Sequence, residues 1–201
     1  MKFTINREQL LVPLQNIVNV IEKRQTMPIL SNVLITLGKN FLILTGTDLE
    51  IQIIANLTIE NNEEGTLTIP ARKLLDICRL LPTHSPITIE KLEDKIKVNS
   101  GRSRFALSSL PAHNYPKFIE TEFTHNFTIS AAKLKLALDK TIFCMAIQDV
   151  RFFLNGLLLN ISNQKVKLVS SDGHRLAIYE DQLDYATGFE SKIVLPSKRV
   201  I

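Results

Sequence analysis

The chain has 201 residues, of which 45% are hydrophobic and 22% charged, with 7 glycines, 8 prolines, 2 cysteines and a net charge of +4. That composition supports a packed core in one large or two small domains and excludes a disordered or fibrous chain. No apolar stretch is long enough to span a bilayer, and the opening "MKFTINREQLL" lacks an apolar export region, so a cytoplasmic protein is expected.

In chain order, a strand is expected at about residue 3, followed by a helix over 7–24. Leu10, Leu11, Leu14, Ile17, Val18 and Ile21 recur at helical spacing, and Asn6 with Gln9 suits a capping box. Pro13 should kink that helix or loosen its first turns. Ile51, Ile53, Ala55, Leu57 and Ile59 then alternate with mostly polar residues, the period of a strand. "LTIPARKLLDIC" opens a second strand-helix pair at about residue 67, with Pro70 suited to the first position of a helix over 70–80. "KIKV" returns to the strand period. Two prolines in "SLPAHNYPKFIETEFTHN" (109–126) break the pattern and set a boundary between domains 1–122 and 123–201. Ser130 can cap a third helix, 130–146, carrying Leu134, Leu138, Ile142 and Met145. "KVKL" is again a strand, and "IVLPSKRVI" opens a further strand-helix pair at about residue 193. Cys78 and Cys144 fall among apolar helical neighbours and read as buried thiols in a reducing compartment.

A repeat organises these elements. At an offset of 124, "FTINREQLL" (3–11) lies on "FTISAAKLK" (127–135). Without a gap, Leu14 meets Leu138, Leu30 meets Leu154, Leu34 meets Leu158, Leu44 meets Leu168, Asp48 meets Asp172 and Ile54 meets Ile178. A constant offset over some fifty residues means one supersecondary layout used twice. The unit reads strand, helix, strands, begun at about residues 3, 67, 127 and 193. The fold class is α+β, with repeated strand-helix-strands units and helices packed on one face of antiparallel sheets. The second domain stops at Ile201 on the opening turn of its second helix, so the chain is expected to be a piece of a longer protein.

Charge follows the helices. Segments 7–24, 70–80, 130–146 and 196–201 hold eleven basic and four acidic residues, a net +7, which leaves −3 on the rest of a chain whose total is +4. Basic helices on an acidic body suit a surface that meets nucleic-acid phosphates, although Lys and Arg also favour solvated helix faces. Trp is absent and aromatics are few, which disfavours base stacking on single strands. "LVSSDGHRLAIYE" (168–180) sets Asp172, Gly173, His174 and Arg175 side by side. The equivalent place in the first half, "GTDLEIQ", keeps the acid as Asp48 and replaces the next three residues with Leu49, Glu50 and Ile51. The shared Asp is therefore expected to hold a turn through backbone hydrogen bonds.

"MKFTI", "LTGTDLEIQI", "IPARKLLDICRLLP", "GRSRFALSSLP", "QDVRFFLNG" and "SDGHRLA" occur in this order across essentially all 201 residues. On these motifs the chain resembles the bacterial DNA polymerase III beta subunits, the sliding clamps. The resemblance implies a DNA-clamp fold of three similar domains, of which this chain has the first and a truncated second, and the third is absent. It implies a non-catalytic processivity factor without cofactor or metal, a head-to-tail homodimer closed as a ring around double-stranded DNA. Arg24 and Gln148, which the repeat sets at one structural corner, match loop positions that touch DNA. The helix bases Arg72, Lys73, Lys133, Lys198 and Arg199 join them. Leu154, Ser171, Gly173, His174, Arg175 and Leu176 match one wall of a groove that takes short peptides from the replicative polymerase, the clamp loader and repair proteins. Lys73, Arg102, Arg104, Phe105 and Leu107 match the dimer interface, so without its third domain the chain is expected to be monomeric. The chain departs from the family pattern at Ile147, Phe152 and Phe153, where relatives carry a His and a Tyr pair.

Two other classes compete. A hydrolase or metal-dependent nuclease would use Asp48, Asp172 and His174, but such enzymes need carboxylates converging within a few ångströms, and the two Asp occupy equivalent places in different domains. No phosphate loop, nucleophile elbow or His-x-x-x-His pair appears, and His84, His113 and His125 have no evident partners. A peptide-binding adaptor that never touches DNA is opposed by the basic helices.

Overall fold

The computed structural model describes residues 1–21, 27–61, 63–93, 95–117 and 122–197. The chain forms two compact units, Met1–Ile119 and Glu120–Ile201. It has the α+β class, with antiparallel strands throughout the paired sheets.

The first unit runs β1 (Lys2–Asn6), α1 (Arg7–Val20), β2 (Asn32–Gly38), β3 (Phe41–Thr47), β4 (Gln52–Thr58), β5 (Gly65–Pro70), α2 (Ala71–Leu80), β6 (Pro86–Leu92), β7 (Lys95–Ser100) and β8 (Ser103–Ser108). Each half supplies a three-stranded meander, and each meander borrows the opening strand of the other half. The sheets therefore read β4-β3-β2-β5 and β1-β6-β7-β8. This exchange knits the halves together, and one core draws on both sheets and both helices. Leu10, Leu14 and Ile17 of α1 pack with Leu74 and Cys78 of α2, Leu42 and Leu44 of β3, and Ile89 and Val98 of the other sheet. Two sheets thus share one pair of helices.

α1 runs from Arg7 to Val20 with Pro13 inside it. The ring removes the bond that the Gln9 carbonyl would accept, but fully buried Leu14 and Ile17 anchor the next turn. Packing of an apolar face outweighs that local cost. The Asn6 backbone N–H donates to Gln9 Oε1 at 3.4 Å, one half of the expected capping box. Helix α1 is described to Val20, and positions 22–24 of the expected helix lie outside the described residues. Pro70 falls one place earlier than expected, closing β5 as the cap residue of α2.

The second unit carries α3 (Ala131–Asp139), β9 (Gly156–Ser162), β10 (Lys165–Ser171), β11 (Leu176–Gln182) and β12 (Glu190–Pro196), with sheet order β11-β10-β9-β12. The offset of 124 holds in three dimensions: α3, β9, β10 and β11 each begin 124 residues after α1, β2, β3 and β4. β12 pairs with β9 as β5 pairs with β2.

Two expectations fail in this unit. The helix over 130–146 ends at Asp139 and gives way to a 3-10 turn at Ile142–Cys144. Thr141 stops it: its hydroxyl donates back to the Ala137 carbonyl at 2.8 Å, and its own carbonyl accepts from the buried Ser170 hydroxyl of β10. With the Ala137 carbonyl taken by that hydroxyl, the Thr141 N–H donates to the Leu138 carbonyl at 2.9 Å, the tighter bond of a 3-10 turn. The strand expected at 127 does not form either. Phe127 and Ile129 pack on the second core, but among the described residues no strand pairs with them, whereas β1 has β6. Ser130 does cap α3, accepting from the Lys133 N–H at 3.4 Å.

Candidate functional site

The Asp172 stretch joins β10 to β11, and its geometry repeats that of the turn between β3 and β4. Asp172 Oδ1 accepts the His174 and Arg175 N–H groups, each at 3.0 Å, as Asp48 Oδ1 accepts those of Glu50 and Ile51 at 3.0 and 2.8 Å. The Ser171 hydroxyl donates to the Arg175 carbonyl and accepts from Gly173 N–H, and the Thr47 hydroxyl does the same with Ile51 and Leu49. The Asp is a turn clamp in both units, as its side-chain chemistry predicts.

What the second unit adds lies on this frame. Arg175 Nε reaches back to Asp172 Oδ2 at 2.8 Å, while its guanidinium carbon stands 6.0 Å from the centre of the exposed Phe143 ring. This Arg175 bond, together with the two backbone N–H groups, holds the Asp172 carboxyl well below the usual carboxylate range. Leu176 is 60% exposed and lies next to Arg175; Leu154 is half-buried at the end of the 3-10 turn Phe152–Asn155 that leads into β9. Leu176 and Arg175 thus project side by side from the start of β11, an exposed apolar side chain next to a cation.

The loop before β9 carries Gln148, exposed and in the left-handed region at φ 57°. Asp149 organises it. Its carboxylate accepts Arg151 N–H at 2.8 Å, Nε at 3.0 Å and Nη2 at 2.9 Å, and its backbone is bracketed by Asn155, whose amide accepts from Asp149 N–H and donates to its carbonyl. The Arg151 hydrogen bonds pull the Asp149 carboxyl down to about 2. Asp149, Arg151 and Phe143 were not singled out in the sequence; the Asp-x-Arg spacing within "QDVR" was the available signal. Ile147, Val150 and Phe152 on this loop are almost fully exposed.

The remaining candidates fall as follows. Arg72 and Lys73 lie on the exposed face of α2, and Arg72 Nη2 donates to the Ile21 carbonyl at 2.7 Å. Arg72 and Arg79, with Gln15, Asn16 and Asn19, line a polar cavity of about 510 Å³ between α1 and α2. Lys133 is held within its unit by Asp184 at 2.9 Å and the Gln182 carbonyl at 3.2 Å. Arg104, Phe105 and Leu107 lie on β8, an edge strand with no partner on one side among the described residues, and Arg102 sits in the turn before it. Lys73 stands on a separate element. Arg24, Lys198 and Arg199 lie outside the described residues. Among the described residues no group of three His, Cys, Asp or Glu could hold a metal ion, and no helix is long and apolar enough to cross a membrane. Cys78 and Cys144 are both buried, and burial pushes the Cys78 thiol up to about 11.

Together these features define a duplicated α+β protein with basic residues on its helices and an Asp-clamped turn in each unit. The family model described as DNA polymerase III beta subunit, N-terminal domain, matches residues 1–119, and that of the central domain matches 128–201. The chain belongs to the DNA polymerase III beta subunit family. It is 44% identical to the beta sliding clamp of Pseudomonas aeruginosa and 41% identical to that of Escherichia coli, in each case over all of this chain and 55% of the relative. The chain thus spans about half the length of these relatives. A crystal structure of the Pseudomonas aeruginosa clamp bound to griselimycin superposes with a TM-score of 0.93, covering all of this chain and 55% of that one. A Caulobacter crescentus beta subunit, 32% identical, gives 0.91 with the same coverage.

Proposed function

We propose that this chain serves as part of a sliding clamp: a non-catalytic, cytoplasmic processivity factor that encircles double-stranded DNA and tethers polymerase, loader and repair proteins through short peptides. The match of both units, in order, to the two clamp domains carries this reading. Exposed Arg72, Lys73 and Gln148, with Arg24, Lys198 and Arg199, supply sequence-independent phosphate contacts. Leu154, Ser171, Gly173, His174, Arg175 and Leu176 form one wall of the peptide groove, where the two leucines offer burial and His174 and Arg175 meet polar groups of the ligand. The β8 edge, with Arg102, Arg104, Phe105 and Leu107, offers both backbone groups and side chains to a second subunit, the usual fate of an open strand edge. Lys73 completes that interface, and the closed assembly is a head-to-tail dimer.

The decisive experiment extends this chain to its relatives' full length and loads it on circular DNA. Such a protein should stay on the closed circle through a wash in high salt and slide off once the DNA is cut. Equal retention on cut and closed DNA would reject topological linkage, and release from both would reject the clamp.

A further inference from the structure

The turns at Asp48 and Asp172 are twins except beside one residue. Leu49 and Gly173 occupy the same place with φ of 81° and 89°, so the left-handed backbone by itself does not demand glycine here. Gly173 differs in its neighbour. A Cβ at that position would stand 2.8 Å from Arg151 Nη2, 3.2 Å from Nη1 and 3.4 Å from Cζ. The guanidinium lies across the space that a side chain would fill. Swinging it aside would break the Asp149 fork, whose own backbone is fastened by Asn155.

We propose that Arg151 is a positioning residue for the groove: pinned by Asp149, it buttresses the Gly173 turn and so fixes where His174, Arg175 and Leu176 meet a ligand. The proposal rests on the groove reading above. A planar, forked cation is required, because only a guanidinium can satisfy Asp149 through Nε and Nη2 while presenting its Nη1–Nη2 edge to the glycine; lysine keeps the charge and loses the fork. It follows that the loop carrying Gln148 and the wall carrying Leu176 share one strut, although they are more than twenty residues apart in sequence.

The test uses the protein extended to its relatives' full length, with methyl-labelled leucines, and griselimycin, the compound held by the Pseudomonas aeruginosa clamp, as the probe. Dissociation constants from NMR titration are compared for the unaltered protein, Arg151→Ala, Arg151→Lys, Asp149→Asn and Leu176→Ala. Both Arg151 variants should bind at least fivefold more weakly, with Asp149→Asn weakened alongside them. In the Arg151→Ala background, Gly173→Ala should cost less affinity than in the unaltered protein, because the atoms it would strike are gone. A general loss of stability would not produce that coupling. Unaltered affinity in both Arg151 variants, with Leu176→Ala weakened, overturns the proposal and leaves the groove standing. Unaltered affinity in Leu176→Ala, or no leucine shift when griselimycin meets the unaltered full-length protein, overturns the groove reading and the proposal with it. If Arg151→Ala does not fold, Arg151→Lys and Asp149→Asn decide by the same fivefold criterion.

Discussion

At the scale of single residues, the second unit keeps a structural turn and varies the side chains that project from it. Asp172 is committed to three donors, two backbone and one Arg175, which leaves it a poor general base, because these bonds favour its ionised form and depress its proton affinity. The pH dependence follows. A carboxyl held below its ordinary value of 3.8 contributes stability that is fully present above that value and is lost as pH falls through the lower, folded value. Asp172→Asn should therefore lower the urea midpoint by a constant amount at neutral pH, and the difference should shrink below about pH 4. A carboxyl-carbon NMR titration of Asp172 with its midpoint at or above 3.8 would contradict the clamped turn. The leucines make a separate prediction. In the protein extended to its relatives' length, Leu154→Ala and Leu176→Ala should each cost about 1–3 kcal/mol of affinity for a short apolar peptide, through lost burial. Calorimetry reads that directly, and no loss in either variant places the groove elsewhere.

At the scale of elements, the first unit covers its outer sheet face with its own chain. The Thr68 hydroxyl of β5 donates to the Leu110 carbonyl at 2.7 Å and accepts its N–H at 3.1 Å. Tyr115 then inserts among Ile29, Leu30 and Leu34, and its hydroxyl donates to the Thr45 carbonyl at 3.1 Å. Burial pushes the Tyr115 hydroxyl up to about 12, so it remains a donor at any working pH. Tyr115→Phe keeps the ring and removes the bond, leaving a buried carbonyl less well satisfied; a loss of about 1 kcal/mol is expected in chemical denaturation. Tyr115→Ala should cost about 3–5 kcal/mol, by analogy with the removal of a buried aromatic ring. Equal losses in the two variants would mean that the hydroxyl, rather than the ring, fastens the strap.

At the scale of the whole molecule, a basic helix surface on an acidic body makes salt the controlling variable. Each phosphate contact removed should reduce the slope of log binding constant against log salt by about 0.9, whatever the DNA sequence. Arg72→Ala, in the protein extended to its relatives' length, should show such a reduction on several unrelated duplexes alike. Lys133→Ala should change the slope less, because Asp184 already takes much of that charge. A loss that depends strongly on sequence would argue for base readout and against tracking along the backbone.

Periodicity, caps and the constant offset of 124 were enough to read the α+β class, most helices and strands, and the equivalence of Asp48 with Asp172, because these depend on local spacing along the chain. The family motifs pointed to the groove and the helix bases for the same reason: they are contiguous words. Contacts between distant segments were not legible. That β1 crosses to β6 and β5 to β2 depends on which edges meet when two half-units pack. That the Thr141 carbonyl, just past the third helix, accepts from Ser170, 29 residues away, depends on how the end of that helix meets β10. That the space beside residue 173 is taken depends on Arg151, whose approach no pattern within either turn records. Local sequence determines which conformations a segment can adopt; its partners across the fold, seen only in three dimensions, decide which one it keeps and what it leaves exposed to bind.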